Sequence, residues 1–128
     1  MKKLLAIVVL GLLWCNTASA LPKCEGTKVS DWTNCEGTDV IGSNKYVGEF
    51  KNGIFHGQGR LELENGSKFE GQFVNGKIEG YGTYFYPNGD KYVGEFKNNM
   101  QHGQGTAIYV IGGKYVGSWK NDLQHGKG

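Results

Sequence analysis

Three histidines, two closely spaced cysteines and several serine and carboxylate positions are the residues of this 128-residue chain whose types could do chemistry. His56, His102 and His125 could hold a metal or move protons. Their separations, 46 and 23 residues, are multiples of one period. On strands stacked two to a period at about 4.8 Å each, equivalent places fall about 10 Å apart. A zinc ion needs all its ligands within about 2.3 Å, so these histidines cannot close one shell, and an imidazole hydrogen-bonded across the turn joining two strands is the expectation. Ser30, Ser43, Ser67 and Ser118 have no nucleophile elbow around them, and no helix N-terminus is available to build an oxyanion site. Glu62 and Glu64 share one face of an alternating run and read as solvated. Gly57-Gln58-Gly59 lacks the following helix and Gly-Lys-Ser/Thr of a phosphate loop. The residues therefore predict no catalytic group, no metal, no cofactor and no enzyme activity.

The cysteines take their meaning from the N-terminus. Lys2 and Lys3, the apolar run Leu4 to Leu13 and the small residues Ala18-Ser19-Ala20 make the three parts of a secretory signal, so residues 1–20 are expected to be cleaved and the protein to be periplasmic or secreted, with peripheral attachment to the envelope left open. Cys15 follows the bulky Trp14, which argues against lipidation. The remaining cysteines, Cys24 and Cys35, are eleven residues apart in a compartment that permits disulfides. One short bridge is expected, since two thiolates without a nearby histidine do not complete a zinc shell. Removing the signal also removes the net charge of +2, because Lys2 and Lys3 carry it all and leave 12 basic against 12 acidic residues. Nucleic acid is not expected as a partner.

The elements that must position any site follow from composition and period. Twenty-two glycines and 16 aromatic rings stand beside only two prolines, a combination that suits a glycine-punctuated β structure rather than a linker. From residue 46 the chain repeats every 23 residues: 46–68, 69–91, 92–114 and a partial unit 115–128. Each unit opens with ring-x-Gly-x-ring, reaches a polar turn, passes through His-Gly-x-Gly or Glu-Gly-x-Gly and ends in a second turn. The side-chain period is two, with Tyr46, Gly48 and Phe50 on one face and Val47, Glu49 and Lys51 on the other. Asn-Gly pairs at 52–53, 65–66, 75–76 and 88–89 predict turns of positive φ. Residues 21–45 read as an N-terminal cap with a degenerate half-repeat, Cys35 replacing the first glycine of the pair. The disulfide would then staple Leu21 to Asn34 over the first sheet edge. Ending halfway through a unit points to a chain that continues beyond Gly128, with an open half-repeat as the alternative.

The fold class this predicts is all-β, an antiparallel array of successive hairpins whose rings lie across the bare glycines of neighbouring strands. The structural positions are Tyr46, Gly48, Phe50, Gly57 and Gly59 in the first unit, and Phe69, Gly71, Phe73, Gly80 and Gly82 in the second. The third supplies Tyr92, Gly94, Phe96, Gly103 and Gly105, the fourth Tyr115, Gly117 and Trp119. These spacings resemble the MORN (membrane occupation and recognition nexus) repeat family, Y-x-G-x-W/F-x-x-G-x-x-H-G-x-G. Glu79 departs at the histidine place, and Asn99 and Asp122 depart at the turn glycine. The resemblance implies one elongated, twisted single-layer sheet that serves protein or lipid contact, or acts as a spacer, and no catalytic residue carries over. The leading functional reading is a non-enzymatic scaffold for an unidentified protein partner. An envelope module touching lipid headgroups or glycans, or the targeting array of a longer protein, are the alternatives. Tyr81 and Phe85 lie opposite Tyr84 and Tyr86 on their strand and form the candidate partner-binding patch, unless they only fold back on nearby Lys and Ile side chains.

Overall fold

The computed structural model describes residues 21–126 and Gly128. The expected signal segment 1–20, with Cys15, lies outside them. Nine strands run in sequence order across one antiparallel sheet: β1 (Cys35–Ile41), β2 (Asn44–Lys51), β3 (Ile54–Glu62), β4 (Lys68–Val74), β5 (Lys77–Phe85), β6 (Lys91–Lys97), β7 (Met100–Ile108), β8 (Lys114–Lys120) and β9 (Leu123–His125). Every strand pairs with its sequence neighbours, so the all-β hairpin array read from the period is the observed architecture. The single helical element described is a short 3-10 turn, Val29–Asp31.

Two kinds of turn line the two long edges. Between β2 and β3, β4 and β5, β6 and β7, and β8 and β9, both central residues have positive φ: Asn52-Gly53, Asn75-Gly76, Asn98-Asn99 and Asn121-Asp122. Asn99 and Asp122 therefore keep the backbone of the glycine they replace, a conformation that Asn and Asp tolerate best after glycine. At the other edge the expectation fails for Asn65 and Asn88. Of these two pairs only Gly66 and Gly89 have positive φ, and Leu63 N–H to Ser67 O (2.9 Å) and Tyr86 N–H to Asp90 O (2.9 Å) close longer loops. In these the asparagine side chain instead accepts from the N–H two residues on, Ser67 or Asp90, at 2.9 Å.

Burial follows the ring face. Tyr46, Phe50, Phe69, Phe73, Tyr92, Phe96 and Trp119 are all buried. In each full unit the first ring lies across a glycine pair, as with Tyr46 over Gly48 and its cross-strand partner Gly59. A Cβ on Gly59 would come within 2.5 Å of Tyr46 Cε1, and one on Gly105 within 2.5 Å of Tyr92 Cε1. Glycine is thus required for space, and the covering ring recovers apolar burial, about 2–3 kcal/mol for a ring that loses 100 Å² of exposed surface. The first and fifth rings of each unit meet edge to face, at 5.2 Å for Tyr46–Phe50 and 5.1 Å for Tyr92–Phe96.

The first sheet edge is capped. Cys24 and Cys35 form a disulfide, and Cys24 N–H donates to Glu36 O while Glu36 N–H donates to Pro22 O, both at 2.8 Å. Cys35 pairs with Phe50 in register as Gly57 pairs with Phe73, and Gly37 faces Gly48 as Gly59 faces Gly71. Trp32 meets Phe50 edge to face at 5.0 Å and closes this end of the ring face.

Candidate functional site

The His-Gly-x-Gly segment is a bulge. Gly48 pairs with Gly59 and Phe50 with Phe55, so Glu49 alone faces three residues, His56 to Gln58. Gly57 takes φ +93 there, and the Glu49 carboxylate fills the space beside it and accepts Gln58 N–H at 3.1 Å. Gln72 serves Tyr81 N–H at 2.8 Å and Glu95 serves Gln104 N–H at 3.0 Å in the same way. Hydrogen bonding to Gln104, then to Tyr81, holds the Glu95 carboxyl below its ordinary range.

The histidine place also has a structural task, and it differs from the one expected. His56 Nδ1 accepts Asn75 N–H at 3.3 Å, so the bond reaches the turn of the next unit, 19 residues on, rather than crossing its own turn. Thr33 does the same for Asn52 N–H, and Glu79 for Asn98 N–H. Any oxygen or nitrogen acceptor suffices, which explains why Glu79 is acceptable. Among the described residues no three His, Cys, Asp or Glu side chains gather where they could hold a metal ion.

Tyr81 and Phe85 stand on the face away from the rings, with Thr83 between them. Tyr81 is 64% exposed, and its hydroxyl donates to Glu95 at 2.9 Å, which raises the phenol's pKa. Phe85 is half-buried, with the Lys68 ammonium 5.6 Å from its ring centroid.

The main concavity lies on the ring face instead, a groove of about 840 Å³ in the C-terminal half of the sheet. Its floor is Tyr92, Ala107 and Trp119, and Tyr86 and Tyr109, one period apart, line it. Gln101 Nε2 donates to the Tyr86 hydroxyl, and Gln124 Nε2 to the Tyr109 hydroxyl at 3.0 Å. Asp90 and Asp122 also line it, with Lys91, Pro87, Asn88 and Leu123. Burial raises the pKa of Tyr86 and pushes that of Tyr92 up to about 12; the nearby Asp122 adds to both.

Substitution at equivalent places opens this groove. Near Tyr46, Phe55 stacks on the ring at 3.8 Å and Leu61 packs against the core. Near Tyr92 the same places hold Gln101 and Ala107. Positions that keep the period do not reveal the groove. The signal was in those that break it, an apolar place turned to glutamine and a leucine turned to alanine.

The MORN repeat family model matches residues 46–68, 69–91, 92–114 and 115–128. The chain belongs to the MORN repeat family, whose repeats are protein- and lipid-binding modules and not catalytic ones. No curated protein shows a significant match to it.

Proposed function

We propose that the protein is a non-enzymatic scaffold that binds a protein partner through the ring-face groove over Tyr92. One observation carries this reading. The groove exposes Tyr86 and part of Tyr109 beside hydrogen-bonding side chains in the C-terminal half, while the same frame is filled with apolar side chains at the other end. Buried-edge aromatics with a few fixed polar groups are the usual anchors of protein contacts. The Cys24–Cys35 disulfide supports a periplasmic or secreted location, where such bonds persist. Tyr81 and Phe85 form a secondary surface on the opposite face, favoured by the exposure of Tyr81.

The test fills the groove with the residues the first unit carries there. Gln101→Phe/Ala107→Leu protein should fold as wild type and lose partners recovered by crosslinking in the envelope. Tyr81→Ala/Phe85→Ala, measured alongside, should retain them. Retention by the first variant with loss by the second moves the contact to the opposite face, and retention by both rejects the scaffold reading at these sites.

A further inference from the structure

We propose that the groove receives an arginine side chain of the partner, its guanidinium lying against Tyr86 and Tyr109 and paired with Asp90 or Asp122; this rests on the reading of the groove as the contact surface. The two carboxylates are the starting point. Asp90 Oδ1 accepts Val110 N–H at 2.8 Å, and Asp122 Oδ1 accepts Gln101 N–H at 2.7 Å. Elsewhere in the array the same two bonds are made by neutral amides. Asn44, two periods before Asp90, accepts Glu64 N–H at 2.9 Å, and Asn99, one period before Asp122, accepts Ile78 N–H at 2.8 Å. Folding therefore needs an acceptor at each place and does not need a charge.

Both charges line the open groove. The ion pair Arg60–Glu62 is the only one among the described residues, so Lys91, which also lines the groove, is not in contact with either carboxylate. Beside them stand phenol and indole rings whose faces attract a cation. A guanidinium fits this mixture best among side chains. It is planar, stacks on rings, is weakly hydrated and forks onto a carboxylate, whereas an ammonium is compact and gives up its water less readily. An anionic ligand would meet two carboxylates against the single ammonium of Lys91, which disfavours acidic headgroups in this groove.

The experiment uses the full chain and follows the Trp119 indole and Tyr86 ring resonances by NMR. The probe is a short Gly/Ser peptide carrying two arginines, compared with its citrulline twin, which keeps the shape and loses the charge. Saturable shifts with the arginine peptide, at least ten-fold weaker with citrulline, are expected. Asp90→Asn/Asp122→Asn should keep the melting temperature, because Asn44 and Asn99 already serve these bonds, and should bind the arginine peptide at least ten-fold more weakly. Equal binding of the citrulline peptide overturns the proposal and requires no variant to fold. So does unchanged affinity in the double variant, or shifts produced by phosphatidylcholine vesicles or maltohexaose but not by the arginine peptide. If Gln101→Phe/Ala107→Leu loses its crosslinked partner while no arginine preference appears, the cation inference fails alone. If that variant keeps every partner, the groove reading fails first.

Discussion

The surroundings of Tyr46 and Tyr92 share one frame and differ in what fills it. Both rings are buried, both lie across a glycine pair, and both hydroxyls donate to a carbonyl three residues on, Glu49 O at 2.8 Å and Glu95 O at 2.9 Å. Each also meets two rings edge to face, Phe50 and Phe73 at Tyr46, Phe96 and Trp119 at Tyr92; the space beside them is taken by Phe55 and Leu61 near Tyr46 and left to Gln101, Ala107 and a groove near Tyr92. The frame therefore builds the sheet by itself. The filling positions are free to vary, and that freedom is where a repeat protein can place a site without disturbing its fold.

The largest test of this division removes the ring at each end. Tyr46→Ala should cost about 4–5 kcal/mol, near the upper range for emptying an aromatic site, because Phe55 loses its stacked partner as well. Tyr92→Ala should cost about 1 kcal/mol less, the worth of one aromatic pair. Urea unfolding measures both, and equal costs would mean that the Phe55 stack adds nothing to the closed end.

Reducing the Cys24–Cys35 bond comes next, with a loss of about 3 kcal/mol at most from the short loop it closes. Hydrogen exchange should accelerate in β1 and β2 and stay unchanged in β6 to β8, because each hairpin touches only its neighbours. Uniform acceleration across the sheet would show one cooperative unit and erase the distinction between the two ends.

Glycine substitutions sharpen it further. Gly59→Ala should cost about 2–3 kcal/mol, since the Tyr46 ring it strikes is pinned beneath Phe55. Gly105→Ala strikes the Tyr92 ring somewhat more closely, yet that ring has the groove beside it to move into. The expected cost is about 1 kcal/mol, read from thermal or urea midpoints, and a ratio near one would show that the groove gives no room for adjustment.

Much of the frame was legible in the sequence for a physical reason. A ring that must cover a glycine two residues on and another across the ladder leaves a rigid spacing, and Tyr46, Gly48 and Gly59 recur at that spacing in every full unit. Hydrogen bonds between units were not legible. The partners of His56 and Asn99 lie 19 and 21 residues away, and nothing in a local pattern distinguishes a bond to the next turn from one across the same turn. The groove was hidden for the opposite reason to the frame. It is made by Gln101 and Ala107 departing from an apolar place, and a departure becomes informative only when the register shows which neighbours have lost their cover.

The smallest expected effect has the opposite sign. Gln101→Phe puts back the ring that Phe55 provides near Tyr46, and the gain from burying a phenyl ring in place of the buried amide and stacking it on Tyr92 is about 2 kcal/mol. Against this stands the loss of the Gln101–Tyr86 hydrogen bond, about 1 kcal/mol when the freed hydroxyl can turn to solvent. The balance is a stabilisation of about 1 kcal/mol, which in a domain of this size raises the melting temperature by about 4 °C. A calorimetric increase of that order, with the native strand register kept, would show that the open end is a choice of side chains on an unchanged backbone. A decrease would mean that Tyr86 already occupies the space a phenyl ring needs. The two ends would then differ in shape as well as in filling, and the groove would be closed to a stacked side chain from a partner.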